Sequence, residues 1–193
     1  MYGGNIDFYD IKGVADALLK TVRIYDCDYV RTSDSDAFDE ASAFHPGRSA
    51  VILKDGKAIG ILGEIHPDVA ENYGIEVKVY AAKLNVPEML KLSEKEVTYK
   101  PMPKFPATTR DLSLICDDNL PAASIEKAIK KAAGKVLKKV TLFDEYKGKQ
   151  IEEGKKSISY SISMRSHDGT LTDEQADSVM KKVLKALKDI GAD

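Results

Sequence analysis

The stretch "TLFDEYKGKQIEEGKKSISYSISMRS", Thr141–Ser166, carries the alternation that decides the fold of the second half of the chain. Residues 157–165 alternate strictly between polar and apolar side chains, which is typical of a strand with one buried face. The segment Lys138–Tyr146 predicts another strand before it, so that a hairpin loop joins the two. A sheet built in this way presents Asp144 and Tyr146 beside a row of serines.

The elements around this hairpin predict a ferredoxin-like domain. Their order is β-α-β-β-α, and both helices have an apolar stripe that would cover one face of an antiparallel sheet and leave the other face open. A final strand should follow the last helix, but the chain stops at Asp193, so that strand is missing, cut off or very short. The predicted elements are Arg110–Cys116, a helix from Pro121 to Gly134, Lys138–Tyr146, Ser157–Arg165, and a helix from Thr172 to Gly191.

The first half predicts an α+β piece built on antiparallel strands. Asp10–Val22 has the apolar spacing of a helix, and "SAVILKDGKAIGILGEI" predicts a hairpin that turns at Asp55-Gly56. Between the halves, "YKPMPKFPATTR" holds three prolines in six residues, which excludes a helix and favours an extended path. We therefore expect one domain at 1–94 and another at 108–193, joined by a linker at 95–107.

The formal net charge of -2 hides an asymmetry between the halves. Residues 1–100 carry 12 Lys and Arg against 17 Asp and Glu, whereas residues 101–193 carry 17 against 14. The basic second half is therefore the better candidate to bind a polyanion. No run is long and apolar enough to span a membrane, and no signal-peptide pattern is present. Cys27 and Cys116 lie far apart, as expected of buried thiols in a reducing compartment such as the cytoplasm.

No group of residues in the sequence predicts catalysis or metal binding. His45 and His66 each precede a proline, but no third ligand has a suitable spacing. Ser49 lacks the glycine-flanked turn that exposes a catalytic serine, so a stand-alone enzyme is disfavoured. A small-molecule-sensing ferredoxin-like regulatory module is an alternative. It would need a dimer interface and a glycine-rich pocket loop, and neither is evident.

Three motifs in order resemble the C-terminal part of the phenylalanyl-tRNA synthetase β subunit. They are "FHPGRSAVI" with "GEIHPDV" (Phe44–Val69), "PKFPATTRDLSL" (Pro103–Leu114), and "LFDEYKG" with "EGKKSISYSISMRS" (142–166). The likeness runs through nearly the whole chain. It implies that residues 1–94 are the end of a catalytic-like module with a degenerate class II synthetase fold. It also implies that residues 108–193 form a ferredoxin-fold anticodon-binding domain.

The resemblance also implies partners. In that family the aminoacylation site lies on the α subunit, against which the catalytic-like module packs in a heterotetramer. We therefore expect no catalytic residue, metal site or cofactor in this chain, whereas the whole enzyme would use ATP and magnesium. The expected RNA partner is the anticodon stem-loop of phenylalanine tRNA.

Positions in the family that match Asp144, Tyr146 and Ser157 contact the first anticodon base, a guanine. The spacing of two puts Asp144 and Tyr146 on one face of their strand, and Ser157 has the opposite parity to the apolar residues of its own strand. Val140 and Leu142 share the parity of Asp144, so either the open face has an apolar patch or a bulge shifts the register. Without the family, Asp144 could instead cap the following turn while Tyr146 packs on an edge.

Cations near this surface are candidates to contact phosphates. Arg110, at the start of the first strand of the domain, could reach RNA or equally anchor the linker. The lysine run between residues 127 and 139 predicts either a solvated helix face or a phosphate contact. The candidates that ring the hairpin loop are Lys147, Lys149, Lys155 and Lys156.

Overall fold

The computed structural model describes residues 1–94, 96, 99, 101–148, 150–166 and 168–193. The chain divides into two compact units, residues 1–99 and 100–193, and the division falls within the segment that the sequence predicts as a linker. Within the described residues, no helix is long and apolar enough to cross a membrane. Both units combine helices with antiparallel sheets, which confirms the predicted α+β class.

The first unit is a four-stranded antiparallel meander in the order β1-β2-β3-β4. The β2–β3 hairpin turns at Asp55 and Gly56, whose φ angles of 51° and 76° are those that an Asp-Gly turn favours. The strands are β1 (Asp28–Arg31), β2 (Phe44–Lys54), β3 (Lys57–Ile65) and β4 (Tyr80–Leu84), and the helices are α1 (Phe8–Thr21), α2 (Pro67–Asn72) and α3 (Val86–Leu92).

Helix α1 begins two residues earlier than the sequence predicts because Asp7 caps it. The Asp7 side chain accepts hydrogen bonds from the backbone N–H groups of Tyr9 and Asp10, and the Asp10 carboxylate accepts one from the Asp7 backbone N–H. The helix packs its apolar stripe, which includes Ile11 and Leu19, into a core with residues of β2 and β3. Strand β1 has only four residues and is not predicted from the sequence.

The second unit is a three-stranded antiparallel sheet in the order β5-β7-β6, with a helix after the first strand and another after the third. Buried residues of both helices, β5 and β7 share one core on one face of the sheet, and the half-buried Leu137 and Val140 of β6 pack against it. Tyr160 is fully buried there, and its hydroxyl donates to the carbonyl oxygen of Ala122 at 3.2 Å. The elements are β5 (Thr108–Asp117), α4 (Ala122–Ala133), β6 (Leu137–Tyr146), β7 (Lys155–Met164) and α5 (Asp173–Lys188).

The expected last strand is present only as an isolated bridge. Ala192 pairs antiparallel with Cys116, and Ile115 and Asp193 exchange backbone hydrogen bonds of 2.6 and 3.0 Å. This bridge lies on the edge of β5, beside the first strand of the unit, which is where a ferredoxin-like arrangement places its fourth strand.

Candidate nucleic-acid interface

A β-bulge in β6 decides which side chains reach the open face of the second sheet. Leu142 lies opposite Tyr160, but Asp144, not Phe143, lies opposite Ser159, so Phe143 is an extra residue. Directly opposed residues share a face, and Tyr160 belongs to the helix-covered core. Leu142 therefore faces the helices, whereas Asp144 faces away from them. The structure thus selects the bulge over the apolar patch, and the inserted Phe143 is 56% exposed.

The bulge brings Tyr146 and Asp144 beside the serines of β7. Tyr146 lies directly opposite Ser157, and Asp144 lies opposite Ser159. On the other side of β7, the same two serines oppose Ile115 and Ser113 of β5. The open face therefore contains two adjacent rows, Tyr146–Ser157–Ile115 and Asp144–Ser159–Ser113, so that Asp144, Tyr146 and Ser157 are neighbours as the sequence predicts.

Two features of these rows limit what each residue can offer a ligand. The hydroxyl oxygens of Ser113 and Ser159 lie 2.9 Å apart and are hydrogen-bonded to each other, and Ser159 is buried. Tyr146 is 43% exposed and Ile115 46% exposed, so the outer ends of the first row are apolar surfaces open to contact. Ile115 is not among the site residues predicted from the sequence. Its neighbour Leu114 is buried, so the alternation of the strand places Ile115 on the open face.

Two of the predicted cations stay at the exposed end of the hairpin. Lys147 pairs with Asp118 and lies 3.5 Å from a carboxylate oxygen of Glu145, and the hydrogen bond from Lys147 lowers the pKa of Asp118. Lys155 pairs with Glu152 at 2.8 Å, and that hydrogen bond raises the pKa of Lys155. Both lysines are exposed, whereas Lys149 lies outside the described residues.

Lys156 lies on the helix side of the sheet, although the sequence predicts it as one of the lysines that ring the hairpin loop and contact phosphates. It opposes Cys116 and has the parity of Ile158, so its side chain is on the helix side of the sheet. Only 7% of Lys156 is exposed, and its ammonium nitrogen lies 3.8 Å from a carboxylate oxygen of Glu145. A buried cation in an ion pair is not available to a phosphate.

Arg110 also faces the helices. It opposes Ile162 of the core face, and its guanidinium lies 2.6 Å from Asp173 and 3.6 Å from Asp177, both in α5. The hydrogen bond with Asp173 raises the pKa of Arg110. The sequence leaves two roles open for Arg110, reaching RNA or anchoring the linker, whereas its guanidinium pairs with the first turns of α5.

The motif residues of the first unit make internal contacts. Glu64 is buried, forms an ion pair with the Arg48 guanidinium at 2.7 Å, and accepts hydrogen bonds from that guanidinium and from the Tyr80 hydroxyl, both at 3.2 Å. His45 and His66 each accept a backbone hydrogen bond from two residues ahead. Across the part of the chain that the structure describes, no group of three His, Cys, Asp or Glu side chains could hold a metal ion.

The second unit is therefore a ferredoxin-fold domain whose open sheet face presents an aromatic ring, a carboxylate and hydroxyls. Residues 103–193 match the family model of the ferredoxin-fold anticodon binding domain. Residues 2–86 match that of the phenylalanyl tRNA synthetase beta chain CLM domain. The chain belongs to the phenylalanyl-tRNA synthetase β-subunit family and corresponds to a C-terminal segment of such a subunit.

Curated relatives extend the match through the whole chain. It is 40% identical over 190 residues to the phenylalanine–tRNA ligase β subunit of Clostridium acetobutylicum, covering 98% of this chain and 23% of the relative. It is 42% identical over 194 residues to that of Clostridium tetani, covering 100% and 24%. The subunit of Bacillus subtilis is 36% identical over 185 residues, covering 95% and 22%. The chain thus spans less than a quarter of the length of these relatives.

Proposed function

We propose that residues 108–193 bind the anticodon stem-loop of phenylalanine tRNA on the open face of the β5-β7-β6 sheet. The observation that carries this proposal is the bulge at Phe143, because it turns Asp144 and Tyr146 toward the face that Ser157 occupies. Sequence-specific proteins recognise RNA mainly in single-stranded loops, where unstacked bases lie on aromatic rings and their edges form hydrogen bonds. The open face offers both kinds of contact within two rows of the sheet.

Asp144 gives the site a preference for guanine at the first anticodon position. An ionised carboxylate accepts two hydrogen bonds, and the Watson–Crick edge of guanine presents two donors, N1–H and the N2 amino group. Adenine presents a bare acceptor at N1, which a carboxylate repels. Tyr146 supplies the stacking surface for that base, and Ser157 supplies a hydroxyl directly opposite Tyr146.

Lys147 and Lys155, with Lys149 in the same loop, are the proposed phosphate contacts. Lys147 and Lys155 are exposed, and their carboxylate partners are exposed too. A phosphate can therefore displace those carboxylates and bind the lysines. Lys156 and Arg110 are left out of the interface, because one is buried and both lie on the helix side of the sheet.

The rest of the chain has a supporting role in this proposal. Residues 1–94 pack against the α subunit of the ligase, and residues 95–107 link them to the RNA-binding domain. The assembled enzyme charges tRNA with phenylalanine in the cytoplasm, using ATP and magnesium, and this chain contributes binding without a catalytic residue. The support comes from the two family models and from relatives named as ligase β subunits. These findings do not favour a small-molecule-sensing module.

The proposal is tested by titrating the chain, with the α subunit present, against tRNAs that differ only at the first anticodon base. Tyr146→Ala removes a stacking surface worth roughly 1–3 kcal/mol per base, so affinity should fall by roughly ten- to a hundredfold. Asp144→Asn replaces an acceptor oxygen by a donor, so guanine loses a bond and adenine can gain one at N1. The preference for guanine over adenine should therefore shrink more than affinity does.

Asp111→Asn is the matched control, because Asp111 lies on the same face, opposite Ser161 and one row beyond the proposed site. It removes the same charge and should leave the guanine preference unchanged. If Asp144→Asn leaves that preference intact, or if Asp111→Asn reduces it equally, Asp144 does not read the base.

A further inference from the structure

We propose that Gly148 is a positioning residue that sets the height and tilt of the Tyr146 ring on the open face. This inference rests on the proposed function above, since it concerns how the stacking surface is presented. Gly148 lies two residues beyond Tyr146, just after the end of β6, and a side chain there would project into the space next to the Tyr146 ring. The outer end of the ring occupies part of that space instead.

The contact between the ring and the glycine is closer than any side chain would permit. A Cβ atom built on Gly148 would lie 2.3 Å from the Tyr146 hydroxyl oxygen, 2.5 Å from Cζ and 3.1 Å from Cε1. Ordinary van der Waals contact begins at about 3.4 Å. The outer end of the ring therefore rests over the bare backbone of Gly148, and 43% of Tyr146 is still exposed for a base.

Glycine is not needed here for its backbone freedom. Gly148 is outside the left-handed region of φ, unlike Gly154 in the same connection, whose φ is 85°. The φ angle at 148 is therefore not one that favours glycine over alanine. The effect of a methyl group at this position is therefore its contact with the ring.

The backbone beneath the ring is held from both sides. The carbonyl oxygen of Gly148 accepts a hydrogen bond from the backbone N–H of Ile151 at 2.9 Å. The preceding residue, Lys147, pairs with Asp118, which directly follows the last residue of β5. When a methyl group is added at 148, the free end of the Tyr146 side chain gives way first, so the ring must lift by about 1 Å or rotate.

The experiment is a double-mutant cycle on the chain in complex with the α subunit, titrated with a phenylalanine tRNA transcript. Gly148→Ala should weaken binding about three- to tenfold, a part of the loss expected for Tyr146→Ala. When Gly148→Ala is added to Tyr146→Ala, it should change affinity by less than about twofold, because no ring remains to displace. Gly169→Ala is the matched control, since a Cβ there meets no atom within 4 Å and its φ is ordinary.

The outcomes separate this inference from the proposed function. If Tyr146→Ala itself leaves binding unchanged, the proposed site is wrong. If Tyr146→Ala weakens binding while Gly148→Ala does not, or if Gly148→Ala is equally harmful without the ring, Gly148 does not act through Tyr146.

A measurement without RNA keeps the inference testable should Gly148→Ala fold poorly. The α-proton of Gly148 that a Cβ would replace points at the outer end of the Tyr146 ring, so its NMR shift should move toward an ordinary glycine value in Tyr146→Ala. An unchanged shift would show that the ring does not rest on Gly148 in solution.

Discussion

Lys155 and Lys156 are neighbours in the sequence but lie on opposite sides of the β5-β7-β6 sheet, which predicts opposite effects on RNA binding. Lys155→Ala removes an exposed cation beside the proposed site. Lys156→Met removes a cation that is 7% exposed and faces the helices, while it preserves most of the buried apolar stem. We expect only Lys155→Ala to change the salt dependence of tRNA binding.

The expected magnitudes follow from these positions. Loss of one phosphate contact to single-stranded RNA lowers the slope of log K against log salt by roughly 0.7, and this should be the effect of Lys155→Ala. Lys156→Met should leave the slope unchanged. It should alter the free energy of unfolding by less than about 1 kcal/mol, since Lys147 still lies 3.5 Å from the same Glu145 oxygen. Lys156→Ala also deletes three methylene groups and should cost roughly 2 kcal/mol.

The slopes are measured by titrating each variant with phenylalanine tRNA at several salt concentrations, with the α subunit present. Unfolding free energies come from urea denaturation followed by circular dichroism. The face assignment fails if Lys156→Met lowers the salt slope as much as Lys155→Ala does, because a buried cation on the helix side has no path to a phosphate. An unchanged slope for Lys155→Ala alone would remove Lys155 from the interface.

Two further predictions concern folding and thiol chemistry. Residues 100–193 form one compact unit, so limited proteolysis near Pro101–Pro106 should release a fragment that stays folded by circular dichroism; an unfolded fragment would place the boundary elsewhere. Burial raises the pKa of the Cys116 thiol, which is 1% exposed, so less thiolate forms at pH 8. Labelling of Cys116 by a disulfide reagent should therefore be slow in the native protein, faster at higher pH, and complete after unfolding. Rapid labelling of the native protein would contradict this.

The sequence predicted the elements of the second unit because their local signals agree. The alternation in β7 places Ile158, Tyr160 and Ile162 in the core, and all three are fully buried. Helix α5 follows the predicted start at Thr172, where Thr172 and Gln175 form a capping box with hydrogen bonds in both directions. Such signals depend on neighbours in the chain, so they can be read without knowing the tertiary structure.

The sequence leaves the bulge as one of two alternatives, and it does not predict the positions of two cations. A bulge is a property of the pairing between β6 and β7, and the residues around Phe143 fit a regular strand equally well. The sequence predicts a phosphate contact for Lys156, and for Arg110 either an RNA contact or a linker contact, but the parity of each strand decides which side its residues face. Both therefore lie on the helix side, where carboxylates of Glu145 and α5 compensate their charges. Strand β1 has only four residues, so its alternation of polar and apolar side chains is too short to predict a strand without knowledge of its pairing with β2.

The bulge also matters to anyone who would transplant this surface onto another sheet. Successive side chains in a strand point inward and outward in turn, and one extra residue moves every side chain that follows to the opposite face. Copying Asp144 and Tyr146 into a regular strand at their sequence distance from Leu142 would point both side chains into the host's interior. The transferable unit is therefore the strand with its irregularity, or an equivalent that omits Phe143 and lets Asp144 follow Leu142 directly, opposite the residue that corresponds to Ser159.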